Sequence, residues 1–389
     1  MRIIVRLFVS LFIIVLNAQP LFAQENIIKI GFNIPLTGEF HVVGEYAKRT
    51  GELLLKQINA AGGIKVGGKA YTVEFFYGDN TSSPSGAANQ IISLVTRDNV
   101  LGIVGPLSSR QAVPAGGVAN SFSTTMISPW STSPATTKDR PLVFRSGYLL
   151  AVQAPVLTKF ATKEFGATKA AILYDIVSTY PRLMAKSFKE VFEQTNGPGS
   201  IVAYEEFRTG ETDFSQQLKK IIASDPDILF TPQHYNEVPL IVKQAKAMGW
   251  TKPIIGSNSW AGGNLVGECG TDCNGLFFVG NFAAGGVSGV SKQFVDLYQA
   301  EYNELPDEVS GLTWDAIQVL LKAVEKTNGL TGNLIRDRAM VKDQLTTLKK
   351  YDGVTGEISF NASGDPNKCA IIIKIDDQGI FTHYESICP

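Results

Sequence analysis

The sequence predicts an α/β protein built from two doubly wound parallel-sheet lobes joined by a hinge that the chain crosses several times. Three observations predict it. Short apolar runs repeatedly stop at small or polar loops and give way to helical segments. This grammar occurs in two series, and the last third of the chain resembles both. The length, 389 residues, exceeds one ordinary core.

The first strand, Ile28-Ile30-Phe32-Ile34, stops at Pro35-Leu36-Thr37-Gly38. A helix follows, with Ala47, Leu54, Leu55 and Ile58 on one face and Lys48, Arg49 and Lys56 off it. Asn59-Ala60-Ala61-Gly62-Gly63 ends it as a glycine-rich cap. Similar units reach about residue 145. In them, 100–104 stops at Gly105-Pro106-Leu107-Ser108-Ser109, and Met126-Ile127 stops at Ser128-Pro129-Trp130-Ser131-Thr132-Ser133-Pro134. A second series has strands near 170–174, 200–207, 227–231 and 254–256. Its loops carry Asp175 to Tyr180, Thr231-Pro232-Gln233-His234-Tyr235 and Gly256-Ser257-Asn258. Phe277-Phe278-Val279 is another strand, helices are expected over 292–303 and 312–327, and a hairpin of 370–375 and 380–387 comes last, around Asp376-Asp377-Gln378-Gly379. In open α/β sheets a ligand lies beyond the carboxyl ends of the strands, where these hydroxyl-rich and aromatic loops cluster.

Composition narrows the function. Net charge is -1, which leaves no electrostatic footprint for nucleic acid. Residues 1–23 read as a secretory signal peptide: Arg2 and Arg6 precede an apolar stretch over 7–16, and Ala23 suits a cleavage site. That apolar stretch is about half of what a membrane span needs. The mature chain is therefore expected in the periplasm, soluble and monomeric. Four cysteines in an exported chain point to disulfides. Cys369 and Cys388 are nearly equidistant from the hairpin turn, and Cys269 and Cys273 close a small ring, so the expected pairs are 269–273 and 369–388. The CxxxC spacing also occurs at metal sites, but His41, His234 and His383 are the only histidines and none is near it. No metal or cofactor is expected. The chain shows no GxSxG elbow, HExxH helix, P-loop or GxGxxG, and no catalytic residues are assigned.

In their order and spacing, these segments resemble the periplasmic solute-binding proteins of branched-chain amino acid ABC transporters, a type I periplasmic-binding fold. The carriers include Ile34-Pro35-Leu36-Thr37-Gly38, Ile58-Asn59-Ala60-Ala61-Gly62-Gly63-Ile64, Gly105-Pro106-Leu107-Ser108-Ser109, Leu173-Tyr174-Asp175, Thr212-Asp213-Phe214, Gln244-Ala245-Lys246-Ala247-Met248-Gly249 and Gly353-Val354-Thr355-Gly356. The resemblance implies a receptor that captures a small carboxylate-bearing solute, amino acid-like or an aromatic acid or amide, by closing its lobes. It then presents the solute to an ABC permease in the inner membrane. A soluble ligand sensor docking on a membrane signalling protein is the alternative. Lobe I is expected to comprise 24–146 plus 281–354, and lobe II 147–280 plus 355–389.

The resemblance also implies site residues. Ser109 matches the serine that holds the ligand carboxylate. Thr132 matches a threonine touching carboxylate and amine, and Trp130 a position contributing backbone groups. Tyr180 matches an aromatic of the second lobe, and His234 or Tyr235 a further contact. Ser131 and Phe40 complete the set. Asn258 stands where amino-acid binders carry Asp or Glu. Independently, a helix N-terminus at Ser108-Ser109 offers free N–H groups to an anion. An ammonium in a desolvated cleft wants an anionic partner, and Asn258 supplies only a dipole. The expected ligand is therefore a carboxylate or amide without a strongly held ammonium.

Overall fold

The computed structural model describes residues 26–388; the signal peptide expected at 1–23 lies outside them. The first sheet runs β2-β3-β1-β4-β5-β6. Its strands are β1 (Ile27–Ile34), β2 (Ile64–Val66), β3 (Lys69–Asp79), β4 (Gly102–Val104), β5 (Thr125–Ser128) and β6 (Val143–Arg145). β1 pairs in parallel with β3 and β4, while β2 runs antiparallel to β3. β4 and β5 are buried along their whole length, as parallel strands covered on both faces must be. Helices α1 (His41–Ala60), α2 (Pro84–Thr96) and α3 (Ser109–Ser121) connect them. α2 starts where Ser83 caps it, accepting from Gly86 N at 2.9 Å, with Pro84 in the first turn.

The second sheet runs β15-β14-β11-β10-β9-β7-β8. Its parallel part is β7 (Ala170–Asp175), β8 (Ile201–Phe207), β9 (Ile228–Thr231), β10 (Ile254–Gly256) and β11 (Phe277–Gly280). Helices α4 (Leu150–Phe165), α5 (Thr179–Asn196), α6 (Ser215–Ala223), α7 (Val238–Ala247) and the short α8 (Leu265–Cys269) accompany it. The hairpin of β14 (Ala370–Ile375) and β15 (Phe381–Ile387) joins this sheet antiparallel, β14 pairing with β11, so the sheet is mixed at that edge.

After β11 the chain returns to the first sheet. α9 (Gly289–Tyr302) packs on α1, α10 (Glu308–Glu325) on α1 and β4, and α11 (Leu334–Thr346) on α10 and β5. α10 begins four residues before the expected 312 because Asp307 caps it, accepting from Ser310 N at 2.7 Å. A two-stranded unit, β12 (Tyr351–Gly353) with β13 (Gly356–Ile358), precedes the return to β14. Among the described residues the chain thus crosses between sheets after β6, after β11 and between β13 and β14.

The crossings are clamped by buried charge. Arg145, at the end of β6, lies 2.7 Å from Asp365 on the third crossing. Lys368 donates to Ser146 O at 3.2 Å and to the Thr355 hydroxyl. Asp315 of α10 accepts from the backbone of Val354 and Thr355 at 2.8 and 2.9 Å. Burial pulls Lys368 down to about 8, opposed by Asp315 and Glu308.

Both expected disulfides are present, Cys269–Cys273 and Cys369–Cys388. The second spans 19 residues and staples β14 to β15. Loop-closure entropy assigns such a ring about 3 kcal/mol. The double substitution Cys369→Ser, Cys388→Ser is expected to lower the denaturant-unfolding free energy by roughly that amount. An unchanged midpoint with an unchanged slope would contradict it.

Candidate ligand-binding cleft

The two sheets point the carboxyl ends of their strands at one another, and the loops there form the cleft. On the first lobe, β4 is followed by Gly105, which has φ +100° and whose missing Cβ would lie 2.2 Å from Asn33 O. Only glycine fits there, and the turn delivers Ser108 and Ser109 to the start of α3. Ser108 is the N-cap residue, yet its hydroxyl caps nothing: Oγ is buried and has no partner. Ser109 Oγ is engaged, accepting from Ser131 Oγ at 3.1 Å and Ser133 N at 3.3 Å.

The loop after β5 supplies Trp130 and Thr132. Arg145 holds it from beneath, donating to Ser131 O at 2.9 Å, Ser133 O at 2.7 Å and Thr137 Oγ1 at 2.8 Å. Burial lowers the Arg145 guanidinium to about 10, with Asp365 opposing. Thr132 is 1% exposed and its Oγ1 has no partner. Two buried hydroxyls without partners therefore sit beside a 13-residue helix N-terminus. A buried hydroxyl left unpaired costs about 1–3 kcal/mol. An anion at the start of α3 gives the Ser108 hydroxyl a partner, and the helix dipole favours its charge.

The second lobe contributes Tyr180 from the first turn of α5, His234 from the loop after β9, and Asn258 and Ser259 from the loop after β10. Ser108, Ser109, Trp130, Tyr180, His234, Asn258 and Ser259 line one narrow space between the lobes. His234 lies among aromatic rings: centroids of Phe40, Tyr180 and Trp130 are 5.0, 5.9 and 6.3 Å away. Its Nε2 is 3.3 Å from Ser178 Oγ, and Nδ1 is buried without a partner.

Of the nine residues expected, Ser109, Trp130, Tyr180, His234 and Asn258 line this space, Phe40 packs its ring against His234, and Thr132 is buried in the loop that carries Trp130. Two do not reach it. Ser131 turns its hydroxyl behind the wall, within 2.8 Å of Thr136 Oγ1. Tyr235, adjacent to His234, points away and covers Gly263, where a Cβ would lie 2.4 Å from its ring. Of the alternatives His234 and Tyr235, the cleft takes His234.

The sequence did not disclose a buried network behind the second wall. Glu308, in the first turn of α10, accepts from Trp130 Nε1 at 3.2 Å, Asn258 Nδ2 at 3.1 Å, Asn281 Nδ2 at 3.0 Å and Asn281 N at 2.5 Å. Gln153 of α4 donates to Asn258 Oδ1 at 3.0 Å, and Tyr180 Oη is 2.7 Å from the same atom. Burial raises Glu308 to about 7, opposed by the Asn281 and Asn258 donors and by Lys368. Asn258 is therefore not an isolated dipole: a carboxylate stands directly behind it. Glu308, Gln153 and Asn281 read in sequence as ordinary polar residues at element ends, and only the tertiary fold brings them together.

The chain belongs to the periplasmic binding protein family, whose model matches residues 27–379. The family consists of solute-binding proteins, not enzymes, and the two-lobed fold with its cleft is of that kind. The chain is 25% identical over 359 residues to the Leu/Ile/Val-binding protein homolog 3 of Brucella melitensis, covering 91% of this chain and 92% of that protein. It is 31% identical to the branched-chain amino acid transporter substrate binding protein LivJ of Streptococcus pneumoniae, solved in complex with isoleucine, with TM-score 0.83 over 93% of this chain and 99% of that one. A solute-binding protein from R. palustris in complex with benzoate shares the fold at 19% identity, with TM-score 0.80 over 93% and 96% of the two chains.

Two predictions follow from the geometry of the cleft walls. Burial pulls His234 down from 6.5 to about 4, with Asp175 opposing and Arg110 adding. Its stabilising contribution is thus complete above pH 6.5 and is lost as pH falls toward 4, by on the order of 3 kcal/mol. The melting temperature of wild type is expected to drop more steeply than that of His234→Gln over this window, and parallel curves would contradict it. Asp365→Ala leaves the buried Arg145 guanidinium without its anion, which costs about 3–5 kcal/mol. Chemical denaturation measures this, and a loss below about 1 kcal/mol would mean the pair is not holding the 131–137 loop.

Proposed function

We propose that this protein is the periplasmic solute receptor of an ABC importer, closing its lobes on a small carboxylate-bearing solute and presenting the closed form to a membrane permease. The observation that carries the reading is the pair of buried, unpartnered hydroxyls, Ser108 Oγ and Thr132 Oγ1, at the N-terminus of α3. They offer donors without a full charge, which suits one carboxylate. The isoleucine-bound streptococcal relative supports a carboxylate ligand, and the Brucella relative supports the same solute class.

Binding drives closure because the ligand touches both walls: Ser108, Ser109 and Trp130 belong to the first lobe, Tyr180, His234 and Asn258 to the second. A ligand shifts the open–closed equilibrium only by its preference for the closed form. Asn258 offers the solute no anion, and its amide is already engaged, Oδ1 accepting from Tyr180 and Gln153 and Nδ2 donating to Glu308.

A thermal-shift screen against leucine, isoleucine, benzoate, 4-hydroxybenzoate and their methyl esters tests the reading. At least one free acid is expected to stabilise the protein, by about 2.7 kcal/mol at one hundred times its Kd, and its ester is not. Ser108→Ala and Thr132→Val are each expected to weaken that acid about tenfold. Esters binding as tightly as acids would overturn the assignment of the α3 pole.

A further inference from the structure

We propose that Glu308 is a positioning residue that sets the hydrogen-bond polarity of the cleft wall opposite α3, so that Tyr180 presents an acceptor and the site selects carboxylates carrying an O–H or N–H donor. The inference rests on the cleft being the solute site.

Four side chains fix the direction one after another. Every group bonded to Glu308 is a donor: Trp130 Nε1, Asn258 Nδ2, Asn281 Nδ2 and Asn281 N. With four donors converging on its two oxygens, the carboxylate serves here as an acceptor only. Asn258 must therefore turn Nδ2 toward Glu308 and Oδ1 away from it. That Oδ1 meets Gln153 Nε2 at 3.0 Å and Tyr180 Oη at 2.7 Å. Gln153 is oriented in turn, its Oε1 accepting from Asn258 N at 3.3 Å and lying 2.9 Å from Tyr180 Oη. The phenol has one proton, and it stands between two acceptors. That proton is spent on the protein, and the oxygen lone pairs remain.

Ser257 and Ser259 stand within reach of the phenol oxygen, but each hydroxyl has a single proton and another acceptor beside it. Ser259 Oγ donates to Gln233 O at 2.5 Å, and Ser257 and Ser259 bond each other at 3.0 Å. Tyr180 lines the cleft beside Asn258. The cleft thus carries donors at Ser108 and Thr132 and an acceptor at Tyr180. An acid with no second polar group leaves that acceptor unpaired once water is excluded, and a hydroxy, amide or amino acid satisfies it. A neutral carboxamide at 308 removes the constraint, because it offers Asn258 a donor or an acceptor equally.

Calorimetric titration of the full chain with matched acids tests this: leucine and 2-hydroxy-4-methylpentanoate against 4-methylpentanoate, and 4-hydroxybenzoate against benzoate. Wild type is expected to prefer the member with a donor by about tenfold or more in at least one set, the scale of one added hydrogen bond. Glu308→Gln is expected to bring that ratio to within about threefold, and Glu308→Asp, which retains an acceptor-only group, to restore it. Should Glu308→Gln not fold, Tyr180→Phe carries the test, since it deletes the acceptor and leaves Glu308 in place. A wild-type ratio near one in both sets, or an undiminished ratio in Glu308→Gln or Tyr180→Phe, would overturn the relay while leaving the carboxylate site intact. Absence of binding by every acid would remove the solute-site reading and the relay with it.

Discussion

Burying charge where the lobes meet is the constraint that organises this molecule. Six of the nine buried Asp, Glu, Lys and Arg residues among those described are Arg145, Asp307, Glu308, Asp315, Asp365 and Lys368, all at the crossings, at the cap of α10 or on its first two turns. A buried charge is tolerable only if its partners are held in place. Here the partners come from different segments: β6 with the third crossing, α10 with the β12–β13 turn, and α10 with the loop after β10. Moving one segment breaks several pairings together. The junction therefore supports a few discrete arrangements rather than a continuum, which is what a hinge between open and closed forms requires.

The same constraint reaches the site. Arg145 fixes the carbonyls of Ser131 and Ser133, and so places the Thr132 hydroxyl. Asp307 accepts from Gly263 N of the second lobe at 3.0 Å, and Glu308 N donates to Ala261 O at 3.1 Å. One helix start thus grips the segment that carries Asn258. The result is a cleft with unequal walls, unpartnered hydroxyls on one and, on the other, an amide–phenol network whose phenol proton is held by the protein.

Much of this was legible because parallel strands buried on both faces read as unbroken apolar runs. Residues 170–174 and 228–230 are of that kind, and their loops carry Tyr180 and His234. The hairpin was legible from its Asp/Gly turn, and the 369–388 bond from its symmetry about that turn. Other elements left weaker signals. α11 turns charged Asp337 and Arg338 inward, so its buried face does not look apolar. Arg338 is buried because it caps the backbone, Nε donating to Val100 O at 3.1 Å. The choice between His234 and Tyr235 depends on loop dihedrals that no periodicity encodes. Glu308 was hidden for a related reason: its partners lie 178, 50 and 27 residues away. An expectation drawn from Asn258 alone therefore missed the anion behind it.

Trp130 gives the molecule an optical consequence. Its indole N–H is bound to the Glu308 carboxylate, and its ring edge meets Gly262 of the opposite lobe, where a Cβ would lie 2.9 Å away. The other three tryptophans are buried within single lobes: Trp260 donates to Thr231 O, Trp314 stacks near Phe294, and Trp250 follows α7. Separation of the lobes parts the Trp130 ring from Gly262 and so alters its surroundings most directly. The emission of the unmodified protein is thus a built-in gauge of lobe separation, with no label attached.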